Sequence, residues 1–135
     1  VLEAIRAADL VVICPSNPWV SIDPILAVPG IREACQAVRV IAVSPLIGGR
    51  AVKGPAAKMY QEMGIQPSSL AVAKHYQGLL AGIIIDTLDV NEAEQIKRIG
   101  VDCQVTNTLM KTLFDRKHLA QETLAFGLGL PPIEK

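Results

Sequence analysis

Four short runs of apolar, largely β-branched residues, separated by helix-like segments, limit the folds open to this chain. They are Leu10–Ile13, Val40–Val43, Gly82–Ile85 and Cys103–Val105. Each is nearly continuously apolar and lacks in/out alternation, the pattern of strands buried on both faces. The segments between them carry helical punctuation. Leu2–Arg6 reads as a short amphipathic helix. Asp23-Pro24 predicts an N-cap followed by proline in the first turn, and Pro29-Gly30 should break that helix before Ile31–Ala37 resumes it. Gly54-Pro55 opens a helix over Ala56–Met63 that Gly64 closes, and Ser68 or Ser69 starts another that ends at Gly78. Asp89 and Glu92 have capping-box spacing ahead of a helix ended by Gly100. A last helix from about Met110 to Ala125 fades into a flexible tail over 126–135.

Strand and helix in repeated alternation mean βαβ units with right-handed crossovers. The expected fold is α/β: a Rossmann-like parallel sheet with helices on both faces, here about half of a larger doubly wound domain. The 135 residues form a single domain fragment, 50% hydrophobic, which suffices for a core. The chain lacks an initiator Met and is expected to begin partway through a longer protein. Lys+Arg and Asp+Glu are both 13, so no basic field is available to hold a nucleic-acid backbone. No apolar run reaches the ~20 residues of a membrane span. Cys14, Cys35 and Cys103 form no metal-binding or redox spacing and read as reduced, mostly buried thiols of a cytoplasmic protein.

Ligands of such sheets bind beyond the carboxyl ends of the strands. The first such edge, Cys14–Ser21, offers Ser16, Asn17 and Ser21 near a helix N-terminus, a setting that suits an anion or simply caps a turn. Trp19 could stack on a ring or fill packing space. The second, Ser44–Pro55, joins Gly48, Gly49 and Gly54 to the cations Arg50 and Lys53. Glycines permit close backbone approach to a phosphate and the cations would neutralise it. It is not a Walker A loop, because Pro55-Ala56 stands where Lys-Ser/Thr is required. At the third edge Asp86 is either structural or a polar contact to a ribose, base or metal, and Asp89 is a helix cap. The fourth, Thr106–Thr108, reads as capping. His75 and His118 read as exposed helix residues. No metal site and no catalytic constellation is visible.

These stretches resemble the 2-phospho-L-lactate transferases. The likeness runs through Pro15-Ser16-Asn17-Pro18, Ser21–Arg32, Val43–Met59, Ile85-Asp86 and Val105–Met110. Cys14 and Asp23 depart from the small residues of that pattern. The resemblance covers the carboxyl-terminal part of the family's length. It implies an enzyme of coenzyme F-420 biosynthesis that moves a phospholactyl, or enolpyruvyl, group from a guanosine diphosphate conjugate to the deazaflavin Fo and releases GMP. It also implies Mg²⁺, with its ligands and the catalytic residues upstream of this chain. Ser16 and Asn17 would lie near the diphosphate, and Gly48, Gly49, Arg50, Lys53 and Gly54 on the guanosine diphosphate side. The alternative is a regulatory protein of the same superfamily that binds UDP-sugars without transferring anything. An open sheet edge further predicts a homo-oligomer, or a fragment inactive alone.

Overall fold

The computed structural model describes residues 1–51 and 56–131. Four parallel strands form one sheet in the order β1 (Val11–Ile13), β2 (Val40–Val43), β5 (Gly82–Asp86), β6 (Asp102–Thr106). Each lies within about a residue of its sequence prediction, because β-branched apolar runs leave little choice of where a doubly covered strand can be. The register pairs Val12 with Ile41, Ala42 with Ile83, and Ile85 with Val105. β2 and β5 are wholly buried central strands, while β1 and β6 are edges of this sheet.

Successive side chains of a strand point to opposite faces, and the core divides accordingly. Val40, Ala42, Ile83 and Ile85 pack with Tyr60, Val72, Tyr76, Leu80, Ile96 and Val101. That face is covered by short helices, among them α1 (Leu2–Arg6), α3 (Ile31–Gln36), α4 (Ala56–Glu62), α5 (Ser69–His75) and α6 (Ala93–Arg98). Val43 and Ile84 point the other way, to Leu119 and Phe126 of α7 (Leu113–Gly129). Helices therefore cover both faces.

Three elements differ from the sequence prediction. The residues expected to begin a tail at 126 continue α7 as far as Gly129. Gly127 falls within the expected tail, but a Cβ there would stand 2.5 Å from Leu10 and 2.8 Å from Ile41. Gly82 is the matching notch on the sheet, where a Cβ would meet the Phe126 ring at 2.7 Å. Missing side chains thus let helix and sheet approach, which outweighs the roughly 1 kcal/mol helix penalty of glycine. Arg39 then donates to the Gly127 carbonyl at 3.1 Å, satisfying a helix-end acceptor. The helix starts at a capping box of Thr112 and Asp115, two residues after Met110.

The second difference follows β1. A π-helical turn, Pro18–Ile22, precedes α2 (Asp23–Leu26), so Asn17 and not Asp23 is the cap, accepting from the Trp19 and Val20 amides. Asp23 instead pairs with His75 at 2.9 Å. His75 is consequently half-buried, contrary to the exposed position read from its charged neighbours. Trp19 is a packing residue, with ring centroids 4.3 Å from Tyr60 and 5.4 Å from His75.

The third difference is a small antiparallel hairpin of β3 (Leu46–Ile47) and β4 (Arg50–Ala51) after β2. Among the cysteines only Cys35 is fully buried, and Cys14 is exposed.

Candidate functional site

A cleft of about 260 Å³ opens at the carboxyl ends of the parallel strands. Pro15, Ser16 and Asn17 line it from beyond β1, and Ser44, Pro45 and Ile47 from beyond β2. Thr108, Leu109 and Met110 follow β6 and form a further wall, and Arg116 reaches it from the first turn of α7. Parallel strands place their following loops at one edge, so residues about a hundred positions apart meet there.

The polar groups of the wall differ in how far they are already engaged. The Ser44 hydroxyl lies 2.8 Å from that of Ser69 and accepts from the Leu46 amide. Asn17 Oδ1 caps the π-helical turn, while its amide contacts the Met59 sulfur at 3.2 Å. Ser16 makes no side-chain hydrogen bond among the described residues, and no described carboxylate pairs with Arg116.

Asp86 stands behind the Thr108 wall and is 3% exposed. Its Oδ1 accepts from the Leu88 amide at 3.0 Å and the Thr87 hydroxyl at 3.3 Å. Its Oδ2 accepts from the Thr108 amide at 2.9 Å and the Thr108 hydroxyl at 3.1 Å. Burial alone would raise its pKa, but these bonds outweigh burial and hold the carboxyl below its ordinary range. A carboxylate has about four lone-pair sites, so Asp86 is saturated by the protein. It fixes the loop after β6 and caps the 3-10 turn Thr87–Glu92.

Asp89, expected as a helix cap, is a tether for the hairpin. It is buried and accepts the Gly48 amide at 3.1 Å. Burial raises its pKa, against the partial offset of that bond. Glu92, the other half of the expected capping box, accepts the Leu70 amide at 2.7 Å, and burial raises its pKa too.

Gly48, Gly49, Arg50 and Ser21 are not among the described residues that line the cleft. Gly48 and Gly49 have φ of 59° and 69°, the two left-handed residues that a two-residue hairpin turn demands. The turn by itself accounts for a glycine at both positions. Arg50 is exposed on β4, outside the cleft wall, as is Ser21 in the π-helical turn. Lys53 and Gly54 lie outside the described residues. Arg116 had no sequence signal, because a lone arginine in a helix with Lys111 and Lys117 nearby reads as a solvated face. Only the crossover of α7 brings it to the strand ends.

Among the described residues no group of three His, Cys, Asp or Glu could hold a metal ion. The described cleft wall supplies hydroxyls, an amide and a guanidinium, and Asp86, the carboxylate behind Thr108, is saturated. That donor set does not fit Mg²⁺, which prefers carboxylate and water oxygens. No helix among the described residues is long and apolar enough to cross a membrane.

The chain is 42% identical over 125 residues to a 2-phospho-L-lactate transferase of Methanococcoides burtonii, covering 93% of this chain and 41% of that protein. It is also 42% identical over 127 residues to a phosphoenolpyruvate transferase of Streptomyces griseus, covering 92% of this chain and 40% of the relative. A 2-phospho-L-lactate transferase of Methanocaldococcus jannaschii is 40% identical over 125 residues, 93% of this chain and 39% of its own length. The chain thus spans about two-fifths of the length of the curated relatives it matches. The profile of 2-phospho-L-lactate transferase CofD matches residues 1–125, and the chain belongs to that family.

Proposed function

We propose that the intact protein is a transferase. It moves a 2-phospholactyl or phosphoenolpyruvyl group from a guanosine diphosphate conjugate to the deazaflavin Fo, in coenzyme F-420 biosynthesis. The observation that carries this reading is the cleft at the carboxyl edge of the sheet, in a chain of this family, with a hydroxyl and a guanidinium on its wall unengaged by described residues. Relatives named for the two donors are equally similar, at 42%, which supports the chemistry common to both.

In that chemistry an alcohol oxygen of the acceptor bonds to the phosphorus bearing the three-carbon acid. The bridging P–O bond breaks, GMP leaves with its electron pair, and the alcohol proton is lost. Catalysis of such a displacement is largely positioning and charge stabilisation. The part of these residues is to hold the diphosphate: Ser16 by its hydroxyl, Thr108 and its neighbours as a wall fixed by Asp86. Mg²⁺, where used, would take its carboxylate ligands from outside the described residues, and no step here runs through it. Three free cysteines, one of them exposed, support a cytoplasmic protein.

The test is a transfer assay. The intact protein with Fo, the guanosine conjugate and Mg²⁺ should yield a phosphodiester of Fo and one equivalent of GMP by mass spectrometry. No product with either donor would overturn the proposal. Tight UDP-sugar binding without any response to guanine nucleotides would assign the regulatory alternative instead.

A further inference from the structure

We propose that Arg116 neutralises the ligand's phosphate from the cleft wall, a role the sequence alone gave to Arg50 and Lys53. The inference rests on the reading of the cleft as the seat of a phosphorylated ligand, and adds which residue recognises it.

Four observations meet at Arg116. Among the described residues lining the cleft it is the sole cation, and no described carboxylate lines it. Across the same cleft stand Ser16, with no internal hydrogen bond among the described residues, and the Thr108 loop. Arg116 has no described ion-pair partner, whereas Arg39, also near the sheet, is engaged with the carbonyls of Gly127 and Leu128. Finally, Arg116 is the fourth residue of α7, a 17-residue helix, and a cation in a first turn opposes the helix dipole. The Asp115 carboxylate of the capping box already serves the helix start, so an anion in the cleft would be met by the guanidinium. The planar guanidinium also suits bidentate contact with phosphate oxygens.

Arg50 lies on the hairpin and not among the described residues of the cleft wall. Its backbone pairs with Ile47 across a two-residue turn, and it is exposed outside the cleft wall.

The experiment measures binding of GDP, pyrophosphate and guanosine to the intact protein by calorimetry. The variants are Arg116→Ala, Arg116→Lys, Arg50→Ala and Lys117→Ala. Arg116 is exposed, so its variants should melt within a few degrees of the parent, which a thermal scan verifies. The expected result is a loss of about 10- to 100-fold for GDP and pyrophosphate in Arg116→Ala, the range of a charge-assisted hydrogen-bonded contact. Partial recovery in Arg116→Lys, unchanged guanosine binding and unchanged Lys117→Ala complete the pattern. If the parent binds GDP and Arg116→Ala binds it equally well, or Arg50→Ala loses more, the assignment to Arg116 is overturned while the cleft reading stands. If the parent binds neither GDP nor pyrophosphate, the cleft reading fails and Arg116 with it.

Discussion

Asp86, behind the β6 side of the cleft, accepts four hydrogen bonds from the protein, whereas the side chains of Ser16 and Arg116, on the β1 and α7 sides, have no such partner among the described residues. Both sides lie at the same edge of the same sheet, and both carry residues that sequence reasoning would pick as polar candidates. What separates them is the accounting of lone pairs and donors. A buried carboxylate is tolerated because every site on it is satisfied, and that satisfaction removes it from ligand chemistry. A hydroxyl or guanidinium left open to a cleft bears little desolvation cost and stays available. The same test moves Asn17 towards scaffold, since its oxygen caps a helical turn and its amide meets Met59.

Substitutions on the two sides should therefore fail differently. The largest effect is expected for Asp86→Ala, which orphans the buried Thr108 amide and hydroxyl. Urea denaturation of the intact protein should show a loss of about 3 kcal/mol or more. The pH dependence has a definite sign. The folded pKa of Asp86 lies below its ordinary 3.8, so its contribution is complete above that value and fades as pH falls through the lower folded pKa. Stability of the parent should drop below about pH 4, and Asp86→Ala should lack that share of the acid slope.

A smaller loss of roughly 1–2 kcal/mol is expected for Gly49→Ala, with φ at 69° and the Pro67 carbonyl 3.2 Å from the new Cβ. GDP affinity should hold within about twofold of the parent, given the ~0.5 kcal/mol scatter of independent sites. A collapse of GDP binding with stability intact would restore the glycines to a phosphate loop.

Ser16→Ala should reverse the pattern of Asp86→Ala. Its stability should stay within about 0.5 kcal/mol, while GDP affinity falls about fivefold, the worth of one hydrogen bond near 1 kcal/mol. The smallest effect belongs to the far face of the sheet. The Tyr60 and Tyr76 hydroxyls are buried without a described partner, and burial pushes the Tyr60 pKa up to about 12. Tyr76→Phe should leave stability unchanged or raise it by up to about 1 kcal/mol in the same denaturation experiment.

The strands were legible because a parallel sheet covered on both faces needs uninterrupted apolar runs, and Val40–Val43 admits no other reading. Several caps were legible for the same local reason, Ser68 among them, which accepts from the Ala71 amide. Residues whose role depends on a distant partner were not. Gly127 reads as part of a tail until Leu10 and Ile41 are seen against it. Asp89 has capping-box spacing to Glu92, yet the two carboxylates serve the Gly48 and Leu70 amides, 41 and 22 residues away. The cleft itself was half legible. The rule that ligands bind at strand carboxyl ends chose Ser16 and Asn17, which line the cleft, and the same rule chose a glycine pair that forms a hairpin turn. Arg116 lies on a helix after the last strand, where that rule does not look.

The most direct measurement is hydrogen–deuterium exchange of the intact protein with and without GDP, read by peptide mass spectrometry. Ligand seated in the cleft should slow exchange in peptides covering residues 14–18, 44–47 and 106–118 and leave 48–51 little changed. Protection confined to the 48–51 hairpin, with the first three segments unaltered, would contradict it.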